Sequence, residues 1–436
     1  MLNYFTDPIL RGPTLGCMLM CLAASLMGVI VFLKKRSLLG EAISHAAYPG
    51  VVVGMGAAAL FGVALEGSAL IFAIAGALLF SAFGLKAVDW LEKRRRVPSD
   101  AALTFMLASF FGFGVLALSW LQGAYPIFAR QVQLYLYGQA ATMTDLHIGV
   151  YGVLALLVLL FIAAIYRPLQ AILFDEAFAK TSGIASCFLS RALFFLLLLS
   201  IVIGVRCVGV ILMSGMLIAP AVAARQFTDR LGMLFWLAGL FGVASGFLGN
   251  WISSEGSSVL AALFPDKRLS LPTGPMIVLT GAAFSLLALL FAPKRGVAAR
   301  AARILRFRVR CIEENILKAV WKKEEIAIRE LRRVHHVGAP VLFCLLLRMQ
   351  REGWINSRKR KISLTQDGMR KASRIVRLHR LWEVYLSELG WPEDKIHQSA
   401  EEMEHVLTSE FGERLSVQLS NPLLDPHSQP IPERHG

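Results

Sequence analysis

No GxxxxGK[ST] phosphate loop occurs anywhere in the 436 residues, so the usual cradle for nucleotide hydrolysis is missing. Cysteine is scarce, and the six, at 17, 21, 187, 207, 311 and 344, form no CxxC pair. Cys17 and Cys21 share a helix face inside an apolar run, where they read as packing residues. Beyond residue 292 only Cys311 and Cys344 remain, as expected of a reducing compartment. A removable leader is excluded as well, because the first apolar run, Thr14 to Leu33, ends in Lys34-Lys35-Arg36 and has no small-residue cleavage site. There is no internal repeat. Neither a catalytic nucleophile nor a general base stands out, and no enzyme activity is expected of this chain alone.

What is abundant is hydrophobicity: 56% of the residues, with a mean hydropathy of +0.58, too high for a soluble globular protein. A spanning helix needs about 20 apolar residues, because lipid cannot satisfy a bare backbone. Runs of that kind lie near 14–33, 41–63, 67–88, 101–121, 147–166, 190–205, 208–225, 231–250 and 275–292. The seventh is short and interrupted by Gly and Pro, and with the sixth it can form one bent hairpin, which gives eight or nine spans. With the N-terminus outside, the inner loops hold Lys34-Lys35-Arg36, Lys93 to Arg96, Arg167 with Lys180, and Arg225 with Arg230. The second outer loop holds Glu66 alone, and Lys267 and Arg268 are the exceptions to the rule. Nine spans then leave the C-terminus in the cytosol.

Charge takes over after Phe291. Residues 293–380 carry 24 basic and 7 acidic side chains, and 381–436 carry 3 and 11. A basic block suits an anionic partner and an acidic one a cation. The expected organisation is a membrane bundle over 1–292, a basic juxtamembrane linker over 293–310 lying against anionic lipid, and a mostly helical domain thereafter. Within that domain, helical periodicity at 312–321, 325–334, 340–352, 367–389 and 397–419 brackets a short hairpin rich in base at Arg358, Lys359, Arg360 and Lys361. This predicts a winged helix-turn-helix over 311–370 and a second helical region over 371–436.

Two constellations carry chemistry. Glu41 and His45, in SLLGEAISHAAYPG, are four apart on one helix face, just inside a span and beside the helix-breaking Pro49-Gly50. A carboxylate and an imidazole one turn apart are a partial shell for Mn²⁺, Fe²⁺ or Zn²⁺; the plainer alternative is a Glu–His hydrogen bond that packs helices. In the tail, His379 and Glu383 are four apart, and His397, Glu401, Glu404 and His405 fall on one face of a single helix. Three imidazoles and three carboxylates across two helices make a mixed N/O cage suited to Mn²⁺ or Fe²⁺, against the alternative of a solvated acidic helix.

Ser37 to Gly50 resembles the opening of a span in the ABC-3 family of metal-importer permeases, with Glu41 where the family usually has Asp. Phe174 to Ala179 with Ser182-Gly183-Ile184 is similar to that family's cytosolic coupling segment, and Val208 to Ala221 to its Val-Gly and Leu-Ile-Pro-Ala span. The resemblance implies an all-α polytopic bundle, Glu41 and His45 in the ion path, and Asp175, Glu176 and Gly183 at the contact with an ATPase. It also implies three partners on other chains: the ATPase subunit, a solute-binding protein, and a second or homologous permease.

Arg377 to Leu389, His397 to Leu407, and Asn421-Pro422 with Asp425-Pro426-His427 resemble the diphtheria-toxin-repressor family, whose two ligand-bearing helices they match. The resemblance implies His379, Glu383, His397, Glu401, Glu404 and His405 as metal ligands, with Glu401 leaning to the manganese type. It also implies dimerisation, and phosphate contacts from Arg358, Lys359, Arg360 and Lys361. Fusions of such a permease to such a repressor are of the chlamydial metal-uptake kind. Two departures stand out. Asn315, beside Glu314, takes the position of a first-helix ligand, and the recognition helix Ala339 to Leu347 is almost wholly apolar. Base readout needs hydrogen-bonding side chains there, and only Arg348, Gln350 and Arg351 remain polar, at its far end. The tail is therefore expected to be a metal-responsive brake on transport or a DNA-binding repressor, tethered or released. A secondary transporter, or a membrane anchor for a sensor, is the reading from a different class.

Overall fold

The computed structural model describes residues 3–63, 68–263, 271–334, 338–358, 361–406 and 409–433. Glu66, Lys267, Arg268, Lys359 and Arg360 lie outside the described residues, as does the side chain of Glu176. The chain divides into two compact units, Met1–Ala299 and Arg300–Gly436.

Among the described residues the only regular elements of the first unit are helices. It comprises α1 (Asn3–Thr6), α2 (Pro8–Leu33), α3 (Leu38–Leu60), α4 (Ser68–Arg95), α5 (Ser99–Ala124), α6 (Pro126–Tyr137) and α7 (Asp145–Ala164). There follow α8 (Tyr166–Phe174), α9 (Glu176–Thr181), α10 (Ser186–Val208), α11 (Met213–Arg225), α12 (Leu231–Leu263) and α13 (Thr273–Phe291). Among the described residues eight of these are long and apolar enough to cross a membrane, and α11 is a shorter apolar helix. The seventh apolar run is therefore the end of α10, a turn and α11. Gly209 makes the turn possible at φ +95, a conformation costly for any residue with a Cβ. The Val210 amide there donates to the Tyr135 carbonyl at 3.1 Å, which ties the turn to α6.

α3 differs from the other spans. It has the lowest mean hydropathy of the eight, 1.3, and is the most enclosed. It runs unbroken through Pro49-Gly50, so the helix break expected there is absent. Proline loses one backbone bond, but a helix held by neighbours on several sides tolerates that loss. α4 approaches it at Gly50, where an added Cβ would lie 2.2 Å from the carbonyl oxygen of Gly76. Small residues at such crossings let backbones touch. Gly50→Val is expected to push α3 off α4 and leave little folded protein in detergent, read as loss of the monodisperse peak in size-exclusion chromatography.

α14 (Val297–Lys323) takes in most of the basic segment 293–310. β1 (Glu325–Ala327), α15 (Ile328–Val334), α16 (Ala339–Arg351), β2 (Ile355–Arg358) and β3 (Lys361–Leu364) follow. The helix expected from 325 thus starts with a strand. The sheet is antiparallel in the order β1-β3-β2, with Ile362 opposite both Ile326 and Ser357. Ile316, Leu317, Val320, Leu331, Leu346 and Met349 fill the core beneath it. Then come α17 (Gln366–Glu388), α18 (Glu393–Met403) and α19 (Ser409–Gln418). Thr365 caps α17 by accepting from the Gly368 amide at 3.1 Å. The single helix expected over 397–419 is two: α18 ends at Met403, and 404–406 form a turn. A smaller core of Leu381, Leu415, Leu419 and Ile431 holds α17, α19 and the C-terminal segment together.

Candidate metal centres

In the first unit, Glu41 lies in the first turn of α3 and is half-buried, and His45 one turn later is buried. The Nδ1 atom of His45 is buried and has no hydrogen-bond partner among the described residues. Its ring meets Phe111 edge-on, 5.0 Å between centroids. A buried imidazole nitrogen left unpaired is costly, and is the observation of this unit that best fits a passing ligand. The bundle also has a cavity of about 800 Å³ with Gln139, Asn250, Ser253 and Thr273 in its wall, and neither Glu41 nor His45 lines it. Between Phe174 and Ile184, Asp175 caps α9, accepting from the Phe178 amide at 2.9 Å, and Gly183 turns the chain at φ +74. Phe174 and Phe178 stand 63% and 59% exposed on this short segment.

In the second unit α17 brings His379 and Glu383 to face the start of α18. His379 Nε2 lies 3.1 Å from Glu383 Oε1, and His397 Nδ1 lies 2.7 Å from the same oxygen. The two imidazoles are 3.3 Å apart, Nε2 to Nδ1. One donor atom from each of His379, Glu383 and His397 falls within 4.8 Å of the others. Burial pushes the Glu383 carboxyl up, but hydrogen bonds from His379 and His397 outweigh it and hold the group down to about 2. It is therefore a carboxylate at neutral pH. Two imidazoles and one carboxylate on a rigid helix pair fit Mn²⁺ or Fe²⁺, so this end of the cluster suits an ion.

The other end differs. His379 Nδ1 meets Glu404 Oε2 at 2.5 Å, and the Glu404 side chain is fully enclosed. His405 Nδ1 meets Glu314 Oε2 at 2.7 Å, and Arg310 donates to the second oxygen of Glu314 at 2.8 Å. Against desolvation, these partners hold Glu314 below the usual carboxylate range. Between the two groups sits a residue absent from the sequence reading. Lys318 Nζ donates to Glu404 Oε2 at 2.9 Å and to Oε1 at 3.2 Å, and lies 3.2 Å from His379 Nδ1. The available signal was its place one turn after Glu314 on α14. At this end an ammonium stands among the donors, and they do not fit a second dication. Cys311, on the same helix, has its thiol pushed up by burial and by Glu314.

Glu404 and His405 belong to the turn after α18 and not to its face, so the expected one-helix array is corrected. Glu401 is 57% exposed, its Oε1 3.8 Å from His397 Nε2, and it is not among the three residues whose donor atoms converge. Among the described residues no hydrogen bond or ion pair joins the Asn315 side chain to this cluster. In the winged part, Lys361 is paired with Glu325 at 3.1 Å and Arg348 with Glu313 at 3.5 Å. Val341, Phe343 and Leu347 stand exposed on α16.

A polytopic helical bundle followed by a helical domain with a histidine–carboxylate cluster defines a membrane transport subunit with an attached metal-binding module. Residues 6–292 match the ABC 3 transport family, and 365–433 match the iron dependent repressor, metal binding and dimerisation domain. The chain belongs to the ABC 3 transport family, as a multi-pass inner-membrane protein with a repressor-type domain at its C-terminus. It is similar to a probable metal transport system membrane protein of Chlamydia trachomatis serovar D, 34% identical over 99% of this chain and 97% of that one. It is also similar to the manganese transport system membrane protein MntC of Bacillus subtilis, 30% identical over 85% of this chain and 82% of that one. Among solved structures, PsaBC from Streptococcus pneumoniae in complex with Fab superposes with a TM-score of 0.55 at 25% identity, covering 67% of this chain and 95% of that chain.

Proposed function

We propose that the chain is the permease subunit of an ATP-driven importer for a divalent transition metal, Mn²⁺, Fe²⁺ or Zn²⁺, with a cytosolic metal-responsive domain. The observation that carries the reading is His45: a buried imidazole with an unpaired nitrogen, one turn from Glu41, on the least apolar and most enclosed span. Glu41 and His45 are the transient ligands of the path, and the names of the relatives support a metal as the cargo. Uptake of radioactive Mn²⁺ by cells expressing the chain with its neighbouring genes tests it, and uptake equal to that of vector-only cells would sink it.

The chain supplies no nucleotide site, so a separate ATPase is the engine, a solute-binding protein delivers the ion, and a second or homologous permease completes the channel. The segment of α8 and α9 is the docking point for the ATPase, with Asp175 and Gly183 shaping it and Phe174 and Phe178 presented outward. Phe178→Asp is expected to weaken ATPase association by about 2 kcal/mol, roughly 30-fold, as for a central interface aromatic. Co-purification of the two subunits at graded concentrations reads it.

In the second unit His379, Glu383 and His397 hold the sensed ion, which would fix α17 to α18. The exposed apolar face of α16 supports a brake that acts through protein contacts, since Val341, Phe343 and Leu347 offer no hydrogen bond to a base edge. A DNA-binding repressor is the second reading, favoured by Arg358 on the hairpin and by Arg329, Arg332 and Arg333 on α15, which suit phosphates. A gel shift on the chain's own promoter, with and without Mn²⁺, separates the two: no shift under either condition leaves the brake.

A further inference from the structure

The Glu404 end of the cluster carries an inference of its own, which goes beyond the proposed sensing role and rests on it only for the identity of the ion at the opposite end. We infer that the ammonium of Lys318 is a built-in cation that takes the place of a second dication, so the cluster accepts one metal ion and not two. The observation is positional. Lys318 reaches from α14 to both oxygens of Glu404, at 2.9 and 3.2 Å, and to within 3.2 Å of His379 Nδ1. Glu404 is fully enclosed, so its charge has no water to fall back on. His379 uses its two ring nitrogens in opposite directions, Nε2 toward Glu383 and His397, Nδ1 toward Glu404. The bond from Nδ1 to the Glu404 carboxylate orients the ring so that Nε2 is the nitrogen turned to the first half, the arrangement that positions a ligating imidazole.

Two consequences follow from this placement. Glu404 is spent as the acceptor for an ammonium and an imidazole, and a dication entering beside it would meet a fixed positive charge in a space with little water. The same ammonium joins α14 to the turn 404–406, two pieces of chain 86 residues apart, without any metal. That junction is permanent where an ion-dependent one would open and close. Metal at the first half can therefore change the link between α17 and α18 while the link from α14 to Glu404 stays made.

The full-length chain in nanodiscs tests this with Mn²⁺ as the probe. Bound manganese is counted by elemental analysis after dialysis, and amide hydrogen exchange is followed at 400–406 with and without Mn²⁺. The expected results are that Lys318→Gln and Lys318→Glu each hold one Mn²⁺ more per chain than the wild type. Exchange at 400–406 is expected to be slow in the metal-free wild type, and in the variants fast without Mn²⁺ and slow with it. Because the exchange comparison needs only the wild type and the mild Gln variant, it decides even if Lys318→Glu fails to fold. The inference is overturned if metal-free wild type exchanges at 400–406 as fast as metal-free Lys318→Gln, or if both variants hold no more manganese than the wild type. Failure of the first-half reading shows separately, as a wild-type manganese count that His397→Ala leaves unchanged.

Discussion

Cells whose permease carries His45→Ala should take up manganese no faster than cells without the system, while the protein is still made and inserted. His45 packs edge-on to Phe111 and offers a buried nitrogen with no partner among the described residues, so its removal costs the fold little beyond one ring. Loss of even an outer-shell partner of a metal site typically costs about 10–100-fold in affinity, and a direct ligand should exceed that. Glu41→Ala is expected to match it, and Glu41→Asp, which keeps the charge and removes one methylene, to retain part of the activity. Initial-rate uptake normalised to membrane-embedded protein is the measurement. Uptake unchanged in both alanine variants would remove these residues from the path and leave the bland role, helix packing, for the pair.

Glu404→Ala should unfold the C-terminal unit at markedly lower denaturant than the wild type. The variant strands the Lys318 ammonium, whose side chain is 23% exposed, and the Nδ1 side of the buried His379, and breaking a buried pair by removing one partner costs up to about 3–5 kcal/mol. The double variant Glu404→Leu/Lys318→Met removes both charges and is expected to recover most of the loss, because two apolar side chains of similar size leave nothing unpaired. Pulse proteolysis of the full-length chain in urea reports the midpoint of this unit through its own fragments. If the single and double variants fall equally, the pair contributes by shape and not by charge.

Much of this was legible in the sequence, and what was not has identifiable causes. The long helices follow from uninterrupted apolar runs, a signal that length alone makes secure. The fate of Pro49-Gly50 was not legible, because a proline breaks a solitary helix but not one clamped by α4 and α5. In the tail, His379, Glu383 and His397 were legible from their spacing, since both helices that carry them are regular where those residues sit. Glu404 and His405 were placed on the right chemistry but the wrong backbone: periodicity runs on through a turn that keeps the polar pattern. Lys318 escaped because a lysine beside a glutamate on a helix is ordinary, and only the approach of a turn 86 residues away turns it into an occupant of the cluster.

The composition of α3 also bears on how the protein is made. A segment of mean hydropathy 1.3 carrying a carboxylate and an imidazole has less claim on lipid than any of its seven long companions. During synthesis such a helix gains little by partitioning alone, and its polar side chains are shielded only once α4 and α5 have been threaded and have closed around it. The window between the emergence of residue 60 and that of residue 124 is thus the interval in which a nascent chain is most exposed to misinsertion and quality control.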